Sequence, residues 1–176
     1  TGTEGSDDFL VALDMDGSLL WKTAMGRAWS GSTPESRATP TVQGDRVYTC
    51  SGLGDIACFD GTTGEIIWSY RASESNNGTY GRWGIAESLL IDGEKLYFSP
   101  GGPETMTIAL DKNNGTLIWR SESLGDKPGY VSPIIVDYAG KRMIVNASLE
   151  HAFGVDAHSG EILWKTPGMF LRYYRN

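Results

Sequence analysis

The chain has 176 residues, a formal net charge of −7 and a hydrophobic content of 40%. This apolar content is too high for a disordered chain, no apolar run approaches the ~20 residues of a membrane helix, and an acidic chain lacks the basic face that a nucleic-acid partner requires. Residues 1–8 are polar and acidic and do not have the pattern of a signal peptide. The length suits one domain, and the 23 glycines predict a fold rich in turns.

A β-hairpin pattern occurs four times along the chain, in residues 13–21, 59–68, 110–119 and 155–164. Each copy has an Asp that opens a short polar turn, a Gly four residues before a Trp, and an apolar pair directly before that Trp. The Gly suits a turn position with positive φ, and the Asp carboxylate accepts hydrogen bonds from turn amides, a role that needs no catalysis. The four Asp residues are Asp14, Asp60, Asp111 and Asp156, and the four Trp residues are Trp21, Trp68, Trp119 and Trp164.

Strand-like runs extend these hairpins into larger units. Two such runs precede each hairpin after the first, at residues 39–42 and 46–50, 87–91 and 95–98, and 132–136 and 142–146. Four antiparallel strands in about 45–50 residues are typical of one blade of a β-propeller. No segment has a sustained helical period. The sequence therefore predicts an all-β propeller of about three and a half blades, with complete blades at residues 39–70, 87–121 and 132–166.

The two ends of the chain do not form whole blades in this prediction. Residues 1–23 provide the outer hairpin of an incomplete blade without its two inner strands, and residues 167–176 provide a tail or the start of the next blade. Propellers close with about 4–8 blades, and an open arc exposes apolar strand edges. We therefore expect the remaining blades of a larger ring to come from the same gene or from another chain.

The hairpin motif resembles that of a known family. Ala12-Leu13-Asp14 and Ala109-Leu110-Asp111 match the Ala-x-Asp, turn, Gly, Trp pattern of the tryptophan-docking motif, while Cys58 and Gly154 put another small residue in the Ala position. This motif is found in pyrroloquinoline-quinone-type (PQQ-like) propellers, which include quinoprotein alcohol dehydrogenases and the non-enzymatic outer-membrane-assembly lipoproteins of the BamB type. The resemblance implies that the four Trp side chains anchor neighbouring blades, and that the protein is periplasmic, at the cell surface or secreted in a bacterium.

The candidate binding residues lie on one face of the predicted propeller, which we call the long-loop face. The links between blades are long, at residues 22–38, 69–86 and 120–131, and long loops on a rigid scaffold are where binding usually occurs. Glu87 is predicted to occupy the repeat position that holds Thr39 and Ser132 in the other repeats. A carboxylate at this position breaks the pattern of the repeat. The alternative is that these residues line a water-filled channel, with an Arg–Glu pair joining two blades. The predicted polar and aromatic rim around a ligand consists of Arg37, Trp83, Glu87 and Tyr130.

Other reactive side chains give weaker indications. Cys50 and Cys58 lie on adjacent predicted strands, where they either form a disulfide or fill small positions in the core. His151 and His158 fall on opposite faces and cannot share a metal, so both are expected at the surface. The segment Asp14-x-Asp16-Gly17 lacks the further oxygens of a calcium loop and is interpreted as a turn. The sequence assigns no metal site and no catalytic residue.

Two functions agree with these features. The first is a binding or scaffolding module whose long loops hold a protein, a glycan or another small molecule. The second, implied by the resemblance, is a dehydrogenase that oxidises an alcohol or a sugar with pyrroloquinoline quinone and calcium. Such enzymes have a vicinal cysteine pair and a Trp beside the quinone, with Glu, Asn and Asp near the calcium. This chain has no adjacent cysteines and no Cys-x-x-Cys-His haem motif, and Trp83 and Glu87 are its candidates for quinone floor and calcium ligand.

Overall fold

The computed structural model describes residues 1–33 and 35–167, and these residues form four antiparallel sheets, blades 1 to 4. Blade 1 contains β1 (Gly2–Glu4), β2 (Asp7–Leu13) and β3 (Leu19–Arg27), and blade 2 contains β4 (Thr41–Gln43), β5 (Arg46–Cys50), β6 (Asp55–Asp60) and β7 (Ile66–Arg71). A short helix, α1 (Ala72–Ser75), follows β7. Blade 3 contains β8 (Leu90–Asp92), β9 (Lys95–Phe98), β10 (Ile108–Asp111) and β11 (Leu117–Arg120), and blade 4 contains β12 (Ile134–Tyr138), β13 (Lys141–Ala147), β14 (His151–Asp156) and β15 (Ile162–Pro167).

The prediction of an all-β propeller is confirmed. Within each blade the strands pair in chain order with antiparallel neighbours. Blade 1 has one strand more than predicted, because residues 2–4 pair with residues 7–9. The sequence analysis missed this strand since it has no alternation of apolar and polar residues, which is the signal that reveals a half-buried strand. The predicted tail at residues 167–176 lies outside the described residues from position 168 onward.

The hydrophobic core lies between neighbouring blades. On β6, Ile56 packs with Phe98 and other apolar side chains of blade 3. Phe59, on the same strand, packs with Leu10 and Met25 of blade 1. Successive side chains of a strand point to opposite faces of its sheet, so an inner strand such as β6 contributes to two apolar layers. Each blade in the middle of the chain is therefore held from both sides.

Three Trp side chains pack against the hairpin turn of the following blade. A Cβ atom added to the turn glycine would come within 2.5–2.7 Å of the indole, so only glycine leaves room for the ring. The indole N–H of Trp68 also donates to the carbonyl of Lys112 in that turn, at 2.8 Å. These contacts fix the distance between blades. The pairs are Trp21 with Gly64, Trp68 with Gly115, and Trp119 with Gly160.

Two of the four Trp residues depart from this pattern. The buried N–H of Trp119 has no hydrogen-bond partner among the described residues. The carbonyl that corresponds to its acceptor belongs to Ala157, and this carbonyl accepts the Tyr97 hydroxyl at 3.1 Å. Trp164 has no following hairpin in the described part of the chain; it is 38% exposed, and its N–H donates to the sulfur of Met143 at 3.4 Å.

The hairpin Asp side chains hold the turns together. In Asp60, Oδ1 accepts the backbone N–H groups of Thr62 and Thr63, both at 2.8 Å. Asp14, Asp111 and Asp156 accept turn amides in the same way. These amides favour the charged carboxylate and lower the pKa of Asp60 and of Asp156. The geometry gives these carboxylates a turn-stabilising role.

Candidate ligand-binding face

The long-loop face presents a tight turn at residues 81–84. It lies in the link between β7 and β8, and the N–H of Gly84 points to the carbonyl of Gly81 at 3.4 Å. Gly84 has a φ of +73°, and a Cβ at Gly81 would lie 2.1 Å from the hydroxyl of Tyr130. Glycine is thus required on both sides of the turn. The two residues between the glycines, exposed Arg82 and half-buried Trp83, form its tip.

Arg37 fixes the turn to the preceding link. Its guanidinium donates to the backbone carbonyls of Trp83 and Thr33, both at 2.8 Å, and to that of Glu35 at 3.0 Å. A guanidinium has five N–H donors in a fixed fork, and here three hydrogen bonds go to main-chain carbonyls of two different links. The side chain of Arg37 therefore positions the loops of the face.

Trp83 and Tyr130 form an aromatic pair across two links. Their ring centroids are 5.1 Å apart with an interplanar angle of 58°, and the Tyr130 oxygen accepts the backbone N–H of Trp83 at 3.2 Å. The guanidinium carbon of Arg82 lies 5.8 Å from the centroid of the Trp83 ring, in the range of a cation–π contact. The structure thus brings three of the four predicted rim residues, Arg37, Trp83 and Tyr130, into one cluster.

Glu87, the fourth predicted rim residue, is buried and joins three blades. Its Oε1 accepts the N–H of Ser99 at 3.0 Å, and its Oε2 accepts Nδ2 of Asn146 in blade 4 at 3.1 Å. Its backbone carbonyl accepts the thiol of Cys50 in blade 2 at 3.2 Å. Only 2% of Glu87 is exposed, and burial raises its pKa to about 8 even though the hydrogen bonds from Asn146 and Ser99 act in the opposite direction.

The hydrogen bonds also correct the repeat position predicted for Glu87. Ser88 Oγ accepts the N–H of Thr39 at 2.9 Å, and Ser132 Oγ accepts the N–H of Ser88 at 3.0 Å. The residue that corresponds to Thr39 and Ser132 is therefore Ser88. Glu87 corresponds to Ala38, the residue before Thr39, which is buried with 4% exposure. The predicted Arg–Glu pair between Arg37 and Glu87 does not form, because each side chain bonds to other groups.

Two further aromatic residues of the face, Trp29 and Tyr80, escaped the sequence analysis. Their ring centroids are 5.4 Å apart. Two glycines pack against the indole of Trp29, since a Cβ at Gly31 or Gly84 would come within 2.4–2.7 Å of its ring, and a Cβ at Gly52 would lie 2.8 Å from the Trp29 Cβ. These residues lie outside the repeat motif and come from different links, so no spacing in the sequence connects them.

His151 is anchored by a buried carboxylate. Its Nδ1 lies 2.7 Å from Oδ2 of Asp126, and the hydroxyl of Ser148 donates to the same oxygen at 2.5 Å. Asp126 is 6% exposed, whereas the His151 side chain keeps 26% of its surface exposed. The sequence predicted a surface histidine at this position, but the two partners are 25 positions apart and the sequence gave no sign of the pair. His158 is exposed in a hairpin turn.

The two cysteines are free and buried. The register of β5 and β6 pairs Cys58 with Tyr48, and Cys50 with Ile56, so the two thiols are not cross-strand partners. Burial raises the pKa of Cys50 well above its ordinary value and raises that of Cys58 as well. Of the two alternatives left by the sequence, the structure has both cysteines as packing residues.

Comparison with known proteins gives relatives of two kinds. A family model described as outer membrane protein assembly factor BamB matches residues 6–169. The 1-butanol dehydrogenase (quinone) of Thauera butanivorans is 25% identical over 171 residues, which are 90% of this chain and 27% of that protein. The outer membrane protein assembly factor BamB of Shewanella oneidensis is 23% identical over 157 residues, which are 87% of this chain and 35% of that protein.

A solved structure has the same architecture. The crystal structure of BamB from Moraxella catarrhalis superposes with a TM-score of 0.66 at 22% identity, covering 94% of this chain and 48% of that one. At 22% sequence identity, this structural similarity shows a shared fold. The chain spans 27% of the length of the Thauera dehydrogenase, 35% of the Shewanella assembly factor and 48% of the Moraxella chain.

Proposed function

We propose a function from one premise: the chain belongs to the family described as outer membrane protein assembly factor BamB. This membership confirms the predicted resemblance to PQQ-like propellers. The proposed function is that of a binding and scaffolding module that holds a protein or a glycan on its long-loop face. A propeller fold by itself carries many functions, so the proposal depends on the residues of that face.

The observation that carries the proposal is the fixed turn at residues 81–84. Arg37 and Tyr130 hold this turn from the two neighbouring links, and the glycines at its ends pack so closely that an added Cβ would overlap Tyr130 at Gly81 and Trp29 at Gly84. Arg82 and Trp83 at its tip are of the residue types that dominate the energetics of binding interfaces. A turn that is already rigid loses little conformational entropy when a ligand binds. The turn therefore has the properties of a preformed contact point.

Location outside the bacterial cytoplasm is part of this proposal. It rests on the PQQ-like motif and on the family description, which names outer-membrane protein assembly. Residues 1–33 and 35–167 include no helix that is both long and apolar enough to cross a membrane. We propose a periplasmic, cell-surface or secreted protein.

A photo-crosslinking amino acid at position 82 tests this function in the full-length gene product. We expect adducts in intact cells from position 82, because Arg82 is exposed at the tip of the turn. The matched control places the same amino acid at position 141, where exposed Lys141 is the first residue of β13, directly after the turn at residues 139–140 on the opposite face. Equal adduct formation from both positions, or adducts from position 141 alone, contradicts the proposal.

The second candidate function is a dehydrogenase that uses pyrroloquinoline quinone and calcium to oxidise an alcohol or a sugar. The observation in its favour is the similarity to enzymes such as the quinone-dependent 1-butanol dehydrogenase of Thauera butanivorans. The bound quinone would accept the electrons of the substrate, and Trp83 would provide a flat aromatic floor for it.

The residues of this chain do not fit the calcium ion of that candidate. Calcium takes 6–8 oxygen ligands, whereas both oxygens of Glu87 already accept hydrogen bonds inside the protein. Among the described residues no three His, Cys, Asp or Glu side chains lie close enough to hold a metal. We therefore rank the binding module first.

Dye reduction by the full-length gene product separates the two functions. The protein is incubated with the quinone and Ca²⁺, and then with primary alcohols or aldoses. For a binding module we expect no turnover. Turnover that is lost in Glu87→Ala while the variant stays folded, as measured by circular dichroism, refutes the binding module as the main function. Absence of quinone binding removes the dehydrogenase.

A further inference from the structure

Four aromatic residues of the long-loop face form two ring pairs, which we call the aromatic band: Trp29 with Tyr80, and Trp83 with Tyr130. Trp29 contacts Tyr80, and Trp83 contacts Tyr130, with ring centroids 5.4 and 5.1 Å apart. The two pairs meet at Gly84, where an added Cβ would lie 2.7 Å from Cγ of Trp29. The band crosses all three links between blades, and each of its four side chains is half-buried.

The band directs carbon, not polar atoms, towards a ligand. The indole N–H of Trp29 donates to Ser32 Oγ at 2.9 Å, and the Tyr80 hydroxyl donates to the carbonyl of Leu53 at 3.2 Å. The Tyr130 oxygen accepts the N–H of Trp83. These polar atoms of Trp29, Tyr80 and Tyr130 therefore already bond within the protein.

The rings of the band suit the C–H face of a sugar. Gly31 and Gly84 pack directly against the indole of Trp29, whereas Tyr80 packs against the apolar core between blades 2 and 3. A pyranose ring presents a face of C–H groups that packs against the negative face of an aromatic ring, and its hydroxyl groups remain at the edge.

Arg82 supplies a charge beside the band. Its guanidinium contacts the Trp83 ring, and among the described residues it takes part in no ion pair, whereas Arg27, Arg71 and Arg142 each pair with carboxylates. Arg37, Arg46 and Arg120 are likewise without an ion pair in the described part of the chain, but they donate to carbonyl or amide oxygens, whereas Arg82 is exposed at the tip of the turn. The guanidinium fork suits a carboxylate in bidentate geometry.

We infer that the aromatic band binds an acidic saccharide, with pyranose rings stacked on Trp83 and its neighbours and a sugar carboxylate on Arg82. This inference rests on the proposed function, because it identifies the ligand class of the same face. The rings are held in place before the ligand arrives, which reduces the entropy lost on binding.

Calorimetric titration of the full-length gene product with a hexamer of galacturonic acid tests the inference. We expect saturable binding with a change in Trp fluorescence, and at least tenfold weaker binding to the neutral hexamer maltohexaose. Arg82→Ala, at an exposed position, and Trp83→Ala are each expected to weaken binding of the acidic hexamer at least tenfold. Lys141→Ala on the opposite face is the matched control and is expected to bind as the wild type does.

Three results overturn the inference: no binding of the acidic hexamer, equal binding of both hexamers, or binding that neither Arg82→Ala nor Trp83→Ala reduces. Circular dichroism of each variant excludes misfolding as the cause of lost binding. If the acidic hexamer does not bind while the amino acid at position 82 still forms crosslinks in cells, the proposed ligand class is wrong and the proposed binding function is retained. If the crosslinks are absent as well, both proposals are wrong.

Discussion

Substitution of Glu87 by Gln tests how the buried carboxyl joins the blades. Glu87→Gln removes the titrating group and keeps the length of the side chain. Asn146 cannot rotate its amide to adapt, because its own oxygen accepts the N–H of Ala147 at 2.8 Å. The N–H of Ser99 and the NH₂ of Asn146 therefore both face position 87, and a Gln amide there loses one of these two hydrogen bonds. That loss of about 1–3 kcal/mol is a loss relative to the charged carboxylate, because the protonated wild-type carboxyl, with its own O–H, meets the same two donors.

The contribution of Glu87 to the free energy of unfolding of the wild-type protein depends strongly on pH. The pKa of Glu87 is about 8 in the folded protein against an ordinary value of 4.5, so the folded state holds the proton more tightly than the unfolded state does. The stabilisation is fully present below the ordinary pKa and is lost as the pH rises towards 8, after which it stays constant. At 1.36 kcal/mol per pKa unit, the full loss is about 5 kcal/mol, of which about 3 kcal/mol has occurred by pH 7.

The stability curves of wild type and Glu87→Gln are therefore expected to lie close together at about pH 5 and to separate as the pH rises. At about pH 8.5 the variant is more stable, because it carries no penalty for a buried charge. Asp60, Asp92 and Asp156 do not produce this slope. Their folded pKa values are lowered, so their contributions are present above the ordinary value of 3.8 and are lost only in acid.

Urea unfolding followed by Trp fluorescence measures the free energy of unfolding across this pH range. The difference between wild type and variant removes the contribution of all groups that the two proteins share. Glu65→Gln, at an exposed turn position, is the matched control and is expected to keep the wild-type slope. If wild-type stability is constant from about pH 5 to about pH 8, or if Glu87→Gln keeps the wild-type slope, the carboxyl is not the buried titrating group described here.

Three further predictions concern the packing of the blades. Trp68→Ala should lower the free energy of unfolding by about 3–5 kcal/mol, and Trp164→Ala by less since its side chain is 38% exposed; equal losses in urea unfolding contradict the docking role of Trp68. Gly115→Ala should cost about 2 kcal/mol or more, because its φ is +74° and the new Cβ would lie 2.6 Å from the Trp68 ring; an unchanged melting temperature counts against this contact. Cys50 and Cys58 should not react with Ellman's reagent in the folded protein and should both react in unreduced, denatured protein, whereas a disulfide would leave them unreactive in both.

Much of the fold was accessible from the sequence because the motif repeats. Asp60, its turn glycine and Trp68 recur in the other blades at similar spacing, and a local pattern of this kind specifies a hairpin without information from the rest of the chain. Strand β1 was missed, because residues 2–4 are recognised by their pairing with β2 and not by their composition. The bulge between Cys58 and Phe59 likewise depends on pairing between strands.

The candidate site was only partly accessible, because its contacts join residues that are distant in the chain. The sequence by itself determined that Arg37, Trp83 and Tyr130 lie in long links on one face, since the alternation of hairpins and links fixes which loops share a face. Only the tertiary structure decided that Glu87 is buried. In the segment before β8, Ser88 makes the inter-blade hydrogen bonds and the neighbouring Glu87 side chain bonds in the interior. A one-residue shift exchanges such orientations, and only the contacts with other blades decide between them.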